Sequence, residues 1–142
     1  MVSIADCRIQ AAQGEIAVKP EDLKQRTKRF ALRVIRLVQA LPKNRMGEVI
    51  GRQLLRSGTS AGANYRAVCR ARSPADFVAK MHIVQEEADE SLYWMELLTD
   101  AKVVEAPRAA DLMREANELL AIFVASINTA RRKIKPKGAR KG

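Results

Sequence analysis

The chain has 142 residues, enough for one domain with a real core and too few for two. Its composition, 47% hydrophobic and 30% charged with three Phe, two Tyr and one Trp, suits helices built on Leu, Ile, Val, Ala and Met and argues against a sheet protein. A formal net charge of +10 favours a polyanion as partner, nucleic acid or an anionic surface.

The N-terminus lacks the basic start and apolar run of a signal peptide, and no apolar stretch approaches the length of a membrane span, so the expected location is cytoplasmic, off the membrane. Residues 1–20 show no sustained period, contain Gly14 and end in a Lys-Pro pair, which predicts a flexible, loosely attached arm. From Glu21, the positions Leu23, Thr27, Phe30, Val34, Leu37 and Leu41 alternate steps of four and three, the stripe of a first helix that Pro42 stops. A second period runs through Ile50, Leu54, Ala61, Tyr65 and Val68 as far as Ser73-Pro74, a good N-cap followed by the residue best tolerated at a first helical position. The third stripe, Phe77, Met81, Val84, Ala88, Leu92, Met95 and Leu98, is the most regular. Pro107 opens a fourth, with Leu112, Ala116, Leu119, Phe123, Ile127 and Ala130 on its buried side. Residues 21–134 are therefore predicted to form an all-α fold, an antiparallel up-down-up-down four-helix bundle, with Leu37, Leu54, Met81, Val84, Leu92, Leu119 and Phe123 in its core. Residues 135–142 end the acid-free run RRKIKPKGARKG as a basic tail.

The stretch GRQLLRSGTSAGANYRAVCRARS, from Gly51 to Ser73, carries five arginines and no acid. At about 100° per helical residue, Arg70 returns to the azimuth of Arg52, with Arg56 and Arg66 about 40° to either side. This stripe faces away from Ile50, Leu54, Ala61, Tyr65 and Val68; only Arg72 points backwards. Ordinary solvated faces mix Glu with Lys, and this one does not. Arg52, Arg56, Arg66 and Arg70 are thus predicted to bind nucleic acid, joined by Arg131, Arg132 and Lys133 at the start of the basic run. The small residues Ser57 to Gly62 permit close approach of another helix. GTSAG has neither the Lys-Ser/Thr ending nor the preceding strand of a phosphate loop.

Helix three reverses the charge, with Asp76, Glu86, Glu87, Asp89, Glu90, Glu96 and Asp100. Glu86 and Glu90 sit one turn apart and call for cations, which the helix-two arginines can supply within one subunit or from a neighbour. Tyr93 and Trp94 lie off the centre of the apolar stripe, either at a subunit contact or capping the edge of their own core. Tyr93, Trp94, Glu86 and Glu90 are the expected subunit interface. His82, the lone histidine, has no glutamate three residues before it, so no di-metal site is expected. Cys7 and Cys69 match no metal or redox spacing and are expected to be free thiols. No catalytic constellation and no cofactor site are predicted.

The segment IGRQLLRSGTSAGANYRAVCRARSPADFVAKM, followed by EEADESLYWMELL, resembles the four-helix-bundle proteins encoded in intervening sequences of bacterial 23S ribosomal RNA genes. The likeness spans about Phe30 to Ile127. It implies a bundle, a ring-shaped homopentamer, nucleic-acid binding and no enzymatic activity. A more distant likeness, to the accessory protein of diversity-generating retroelements, implies a protein partner such as a reverse transcriptase. Where relatives read Asn-Tyr-Arg-Glu, this chain has Asn64, Tyr65, Arg66 and Ala67, so no role of that carboxylate carries over. Residues and resemblance together lead to a non-enzymatic, oligomeric bundle that binds RNA or DNA. The rival reading is an assembly or adaptor module that mediates protein–protein contacts.

Overall fold

Each helix start has its own local chemistry. In a computed structural model of the chain, which describes the backbone of residues 7–11 and 14–134 and the side chains from residue 18 onward, α1 (Pro20–Gln39) opens on a proline with Glu21 and Asp22 in its first turn. α2 (Arg45–Val68) is capped by Asn44, whose side chain accepts from the Gly47 N–H at 2.9 Å. α3 (Pro74–Asp100) is capped as expected by Ser73, which accepts from the Asp76 N–H at 3.1 Å. α4 (Ala106–Ile134) ends in Arg131, Arg132 and Lys133, cations that suit a helix C-terminus. Each helix packs on the next and α4 closes on α1, the expected antiparallel bundle. Among the described residues, no helix is long and apolar enough to cross a membrane.

Residues 7–11 and 14–18 hold more order than their sequence announces. β1 (Cys7–Ala11) and β2 (Gly14–Val18) pair antiparallel, with Cys7 opposite Val18 and Ala11 opposite Gly14, and β1 lies along α4. Strands of five residues are too short for a period of two to stand out, and Gly14 reads as a break although it sits in the pairing.

The core follows the four stripes. Leu54, Met81, Val84, Leu119 and Phe123 are buried as expected, whereas Leu37 and Leu92 are only half-buried at its margin. On α3 the buried position is Ser91 instead. The buried positions Phe77, Met81, Val84, Ala88, Ser91, Met95 and Leu98 keep a strict four-three alternation, which puts Ser91 into the α2 contact and leaves Leu92, one residue off it, at the rim. There Ser91 Oγ lies 2.9 Å from Ser57 Oγ. One hydroxyl donates to the other, and the spare proton goes to a carbonyl of its own helix, Leu54 or Glu87.

Glycines line the side of α2 that meets α1. A Cβ on Gly58 would stand 2.8 Å from both methyls of Val34, one on Gly62 would stand 3.3 Å from Thr27 Oγ1, and one on Gly51 would stand 2.9 Å from Leu41 Cδ1. The two helices therefore approach most closely at Gly58, where a side chain would clash with Val34. Opposite this seam, the α1–α4 gap is bridged by a polar clamp. Arg26 donates to Glu115 through Nε and Nη2 at 2.7 and 2.8 Å, and to Glu118 at 2.8 Å. The bidentate Glu115 contact, ahead of Glu118, raises the guanidinium pKa.

A second polar device ties α2 to α3. Arg56 donates to Glu87 at 3.3 Å and also to Glu90, and Glu90 accepts from Trp94 Nε1 at 2.9 Å. The Trp94 indole, and after it Arg56, hold the Glu90 carboxyl below the ordinary glutamate range.

Two measurements check this packing. Replacing Gly58 by Ala gains about 1 kcal/mol of helix propensity but meets the stiff, fully buried Val34, an overpacking worth about 1–3 kcal/mol. G58A should therefore lower the urea midpoint. G51A, which meets only the flexible end of Leu41, should leave it unchanged or raise it; a more stable G58A would mean that the seam is open. Glu90 has a depressed folded-state pKa, so its contribution is complete above the unfolded glutamate value and disappears as pH falls through the lower, folded one. The fluorescence of Trp94, the single tryptophan, should accordingly titrate below about pH 4.3 while the helix signal persists. E90Q should abolish that step, and a midpoint at or above the ordinary value would contradict the clasp.

Candidate nucleic-acid interface

The arginine stripe exists as predicted on the outer face: Arg52, Arg56 and Arg66 on α2, and Arg70 just past its end, are all exposed. They do not make one site. Arg52 and Arg70 are 18 residues apart, which is about 27 Å along the helix. Arg52 flanks a depression at the far end with Lys43 and Glu48. Arg56 turns away to α3, and its guanidinium pKa is raised first by the hydrogen bond to Glu90. A phosphate at Arg56 would have to displace two carboxylates, so within the subunit this arginine serves to join helices.

Arg66 and Arg70 have a different setting. Together with Lys24 and Lys28 of α1 they line a cleft of about 410 Å³ between α1 and α2, with Gly62, Ala63 and Ala67 among its walls. Among the described residues, no carboxylate lines it. Its concavity follows from the seam: where Gly62 meets Thr27 neither helix carries bulk, and the neighbouring Ala31, Ala63 and Ala67 are also small. Lys24 has only a loose contact to exposed Glu21, at 3.8 Å, and Arg66 and Arg70 form no ion pair among the described residues. Lys24 and Lys28 were not singled out from the sequence, where α1 is legible mainly through its apolar stripe. The available signal was their spacing around Thr27, one residue after it and three before, once Thr27 is known to face a glycine.

Beyond Arg70 a shallower depression holds Arg72, Asp76 and Lys80. Asp76 accepts from Lys80 at 2.7 Å and from the Arg72 N–H at 3.1 Å, and Lys80 is the first cause of its lowered pKa. Lys80 is thereby partly neutralised. Arg131, Arg132 and Lys133 are exposed on the last turn of α4, and the antiparallel order puts them at the same end of the bundle as Lys24 and Arg70. Arg131 Nη2 lies 3.1 Å from His82 Nε2, which accepts when that ring nitrogen is unprotonated, and Arg132 donates to Thr129 at 3.3 Å. The tail cations Lys135, Lys137, Arg140 and Lys141 lie outside the described residues.

The four residues expected at a subunit interface divide. Tyr93 is 54% exposed and Glu86 is exposed, whereas Trp94 is half-buried against the core and Glu90 is held in the α2–α3 clasp. Tyr93 and Trp94 meet edge to face, with centroids 5.1 Å apart. Among the described residues no group of three or more His, Cys, Asp or Glu is placed to hold a metal ion. Cys69 is a half-buried free thiol whose pKa is pushed up by burial; the side chain of Cys7 lies outside the described residues.

A family model described as the 23S rRNA-intervening sequence protein matches residues 21–125, nearly the whole bundle. Among solved structures, the chain is similar to a protein of unknown function from the S23 ribosomal protein family of Bacteroides thetaiotaomicron. The two are 32% identical, with a TM-score of 0.72, over 78% of this chain and 99% of that one. No curated protein matches the chain. Neither of the two matching descriptions names an enzymatic activity. By the extent of the match and the shared fold, the chain belongs to the 23S rRNA-intervening sequence protein family.

Proposed function

We propose that this protein is a non-enzymatic, oligomeric helical bundle of the cytoplasm that binds RNA or DNA through backbone phosphates. One observation carries the reading: at one end of the bundle, cations with at most a loose carboxylate contact gather around a cleft. Arg66 and Arg70 meet Lys24 and Lys28 in an acid-free cleft, Arg131 to Lys133 stand on the same end, and the basic tail departs from there. The acidic face lies apart on α3 and has already taken Arg56. With three Phe, two Tyr and one Trp in the whole chain, and Tyr65, Phe30, Phe77 and Phe123 in the core, little aromatic surface is left for stacking bases. Binding should be weakly sequence-selective and strongly salt-dependent, with each neutralised phosphate adding about 0.7–0.9 to the logarithmic slope. Fluorescence anisotropy across a salt series checks this. Deleting residues 135–142 should flatten the slope without melting the helices; an intact protein that binds neither RNA nor DNA at low salt would hand the account to the adaptor reading.

Assembly is supported by a separate observation. Met46 and Val49 on α2 are each 53% exposed, and Tyr93 on α3 is 54% exposed, so large apolar side chains stand open to solvent on both helices. At about 100° per residue, Met46 and Val49 fall on the flank of α2 that turns towards α3. Repeating one such contact head to tail closes a ring, and a homopentamer is the assembly proposed. A ring would multiply the cationic end and strengthen weak single sites through effective concentration. Light scattering should give a pentameric mass for the protein and a smaller one for V49E/Y93E. A monomeric mass for the unaltered protein at micromolar concentration would refute the assembly.

A further inference from the structure

We infer that the α1–α2 cleft is a dedicated binding site for the sugar–phosphate backbone of a single strand, a commitment that rests on the nucleic-acid reading and narrows it. The register of the helices gives the cleft its order. Gly62 faces Thr27 and Gly58 faces Val34, so the antiparallel pair brings Arg66 level with Lys24. Lys28 then lies about one turn to one side of that level and Arg70 about one turn to the other, at about 6 Å per turn of four residues. The cleft thus presents three successive levels of positive charge along its length, at a spacing of the order of that between neighbouring phosphates in an extended strand.

Shape and chemistry restrict what fits. A volume of about 410 Å³ admits a nucleotide-sized unit. The walls supply cations and small side chains and no aromatic ring, so they grip phosphate and sugar and leave the bases outward. The Thr27 hydroxyl donates back to Leu23 O at 2.8 Å and the Thr59 hydroxyl to Leu55 O at 2.7 Å, so the hydrogen bonds to phosphate come from Lys24, Lys28, Arg66 and Arg70. A duplex is a stiff convex rod that cannot follow a narrow concave groove, whereas a flexible single strand bends into it. RNA and DNA share this backbone chemistry.

The test uses the full-length protein with fluorescein-labelled twelve-nucleotide oligouridine, oligothymidine and a DNA duplex of the same length. Three variants are compared: K24Q/K28Q, A63F, and R36Q/R108Q as a control of equal charge loss in the α1–α4 cleft, where Asp111 stands among the arginines. Ala63 is exposed on the cleft wall, so A63F fills the groove without changing charge. The inference predicts that both single strands bind more tightly than the duplex. K24Q/K28Q should lower single-strand affinity about tenfold or more and reduce the salt slope by about 1.4, two phosphates at about 0.7 each. A63F should weaken single-strand binding to a similar extent, and R36Q/R108Q should change it less than about twofold, on the scale of a non-specific charge effect. Circular dichroism establishes that each variant is folded. If the unaltered protein binds all three probes but K24Q/K28Q and A63F match the control, the cleft is not the site and the general reading survives without it. If the duplex binds best and A63F has no effect, the inference is overturned, and if nothing binds at low salt the underlying reading fails with it.

Discussion

The close approach of α1 and α2 is the constraint on which the rest of this molecule depends. Gly58 leaves no room for even a methyl group against Val34, and Gly62 seats against Thr27, so the relative register of the two helices has little freedom. Three consequences follow. Leu54, Ala61, Tyr65 and Val68 turn into the core beside the seam. Ser57 is carried round to meet Ser91 of α3 in a fully buried hydroxyl pair. Finally, the outer edge of the seam becomes a trough, because the residues flanking it are alanines and its rims carry lysine and arginine. A glycine seam costs helix propensity, about 1 kcal/mol for each glycine relative to alanine, and close packing has to offset it.

Charge is sorted on this frame by what each cation can reach. Arg26 and Arg56 reach carboxylates on neighbouring helices and fasten α1 to α4 and α2 to α3. Partly exposed pairs of this kind are screened by solvent, so they fix orientation more than they stabilise. Lys24, Lys28, Arg66 and Arg70 reach no such partner beyond the loose Lys24–Glu21 contact, and they surround a concavity. A surplus of positive charge left unpaired in a groove is an arrangement that a polyanion relieves.

Much of this was legible in the sequence, because four-three periodicity reports which side of a helix is buried and caps report where it starts. Ser73 with Pro74 marked α3, and the small run from Ser57 to Gly62 announced a close helix contact. The azimuths of Arg52, Arg56, Arg66 and Arg70 were also correct, yet azimuth alone does not say which neighbour an arginine meets. Arg56 differs from Arg52 by about 40° and about 6 Å, and this suffices to send it to Glu87 and Glu90. The lysines of the cleft escaped notice because a site shared by two helices is written in their relative register, which no single-helix pattern contains. Leu92 and Ser91 exchanged places because the strict four-three repeat falls on Ser91, whose polar side chain does not read as core, whereas its apolar neighbour Leu92 does.

The account stands or falls on where a bound strand touches the protein. Lysine footprinting reads this directly: the oligomer is acetylated with and without saturating oligothymidine, and each modified lysine is quantified by mass spectrometry. The account predicts strong protection of Lys24 and Lys28 and unchanged reactivity of Lys43 and Lys102, which stand at the far end of the bundle. Equal reactivity of Lys24 and Lys28 in both states, with protection at Lys43 or Lys102 instead, would contradict it.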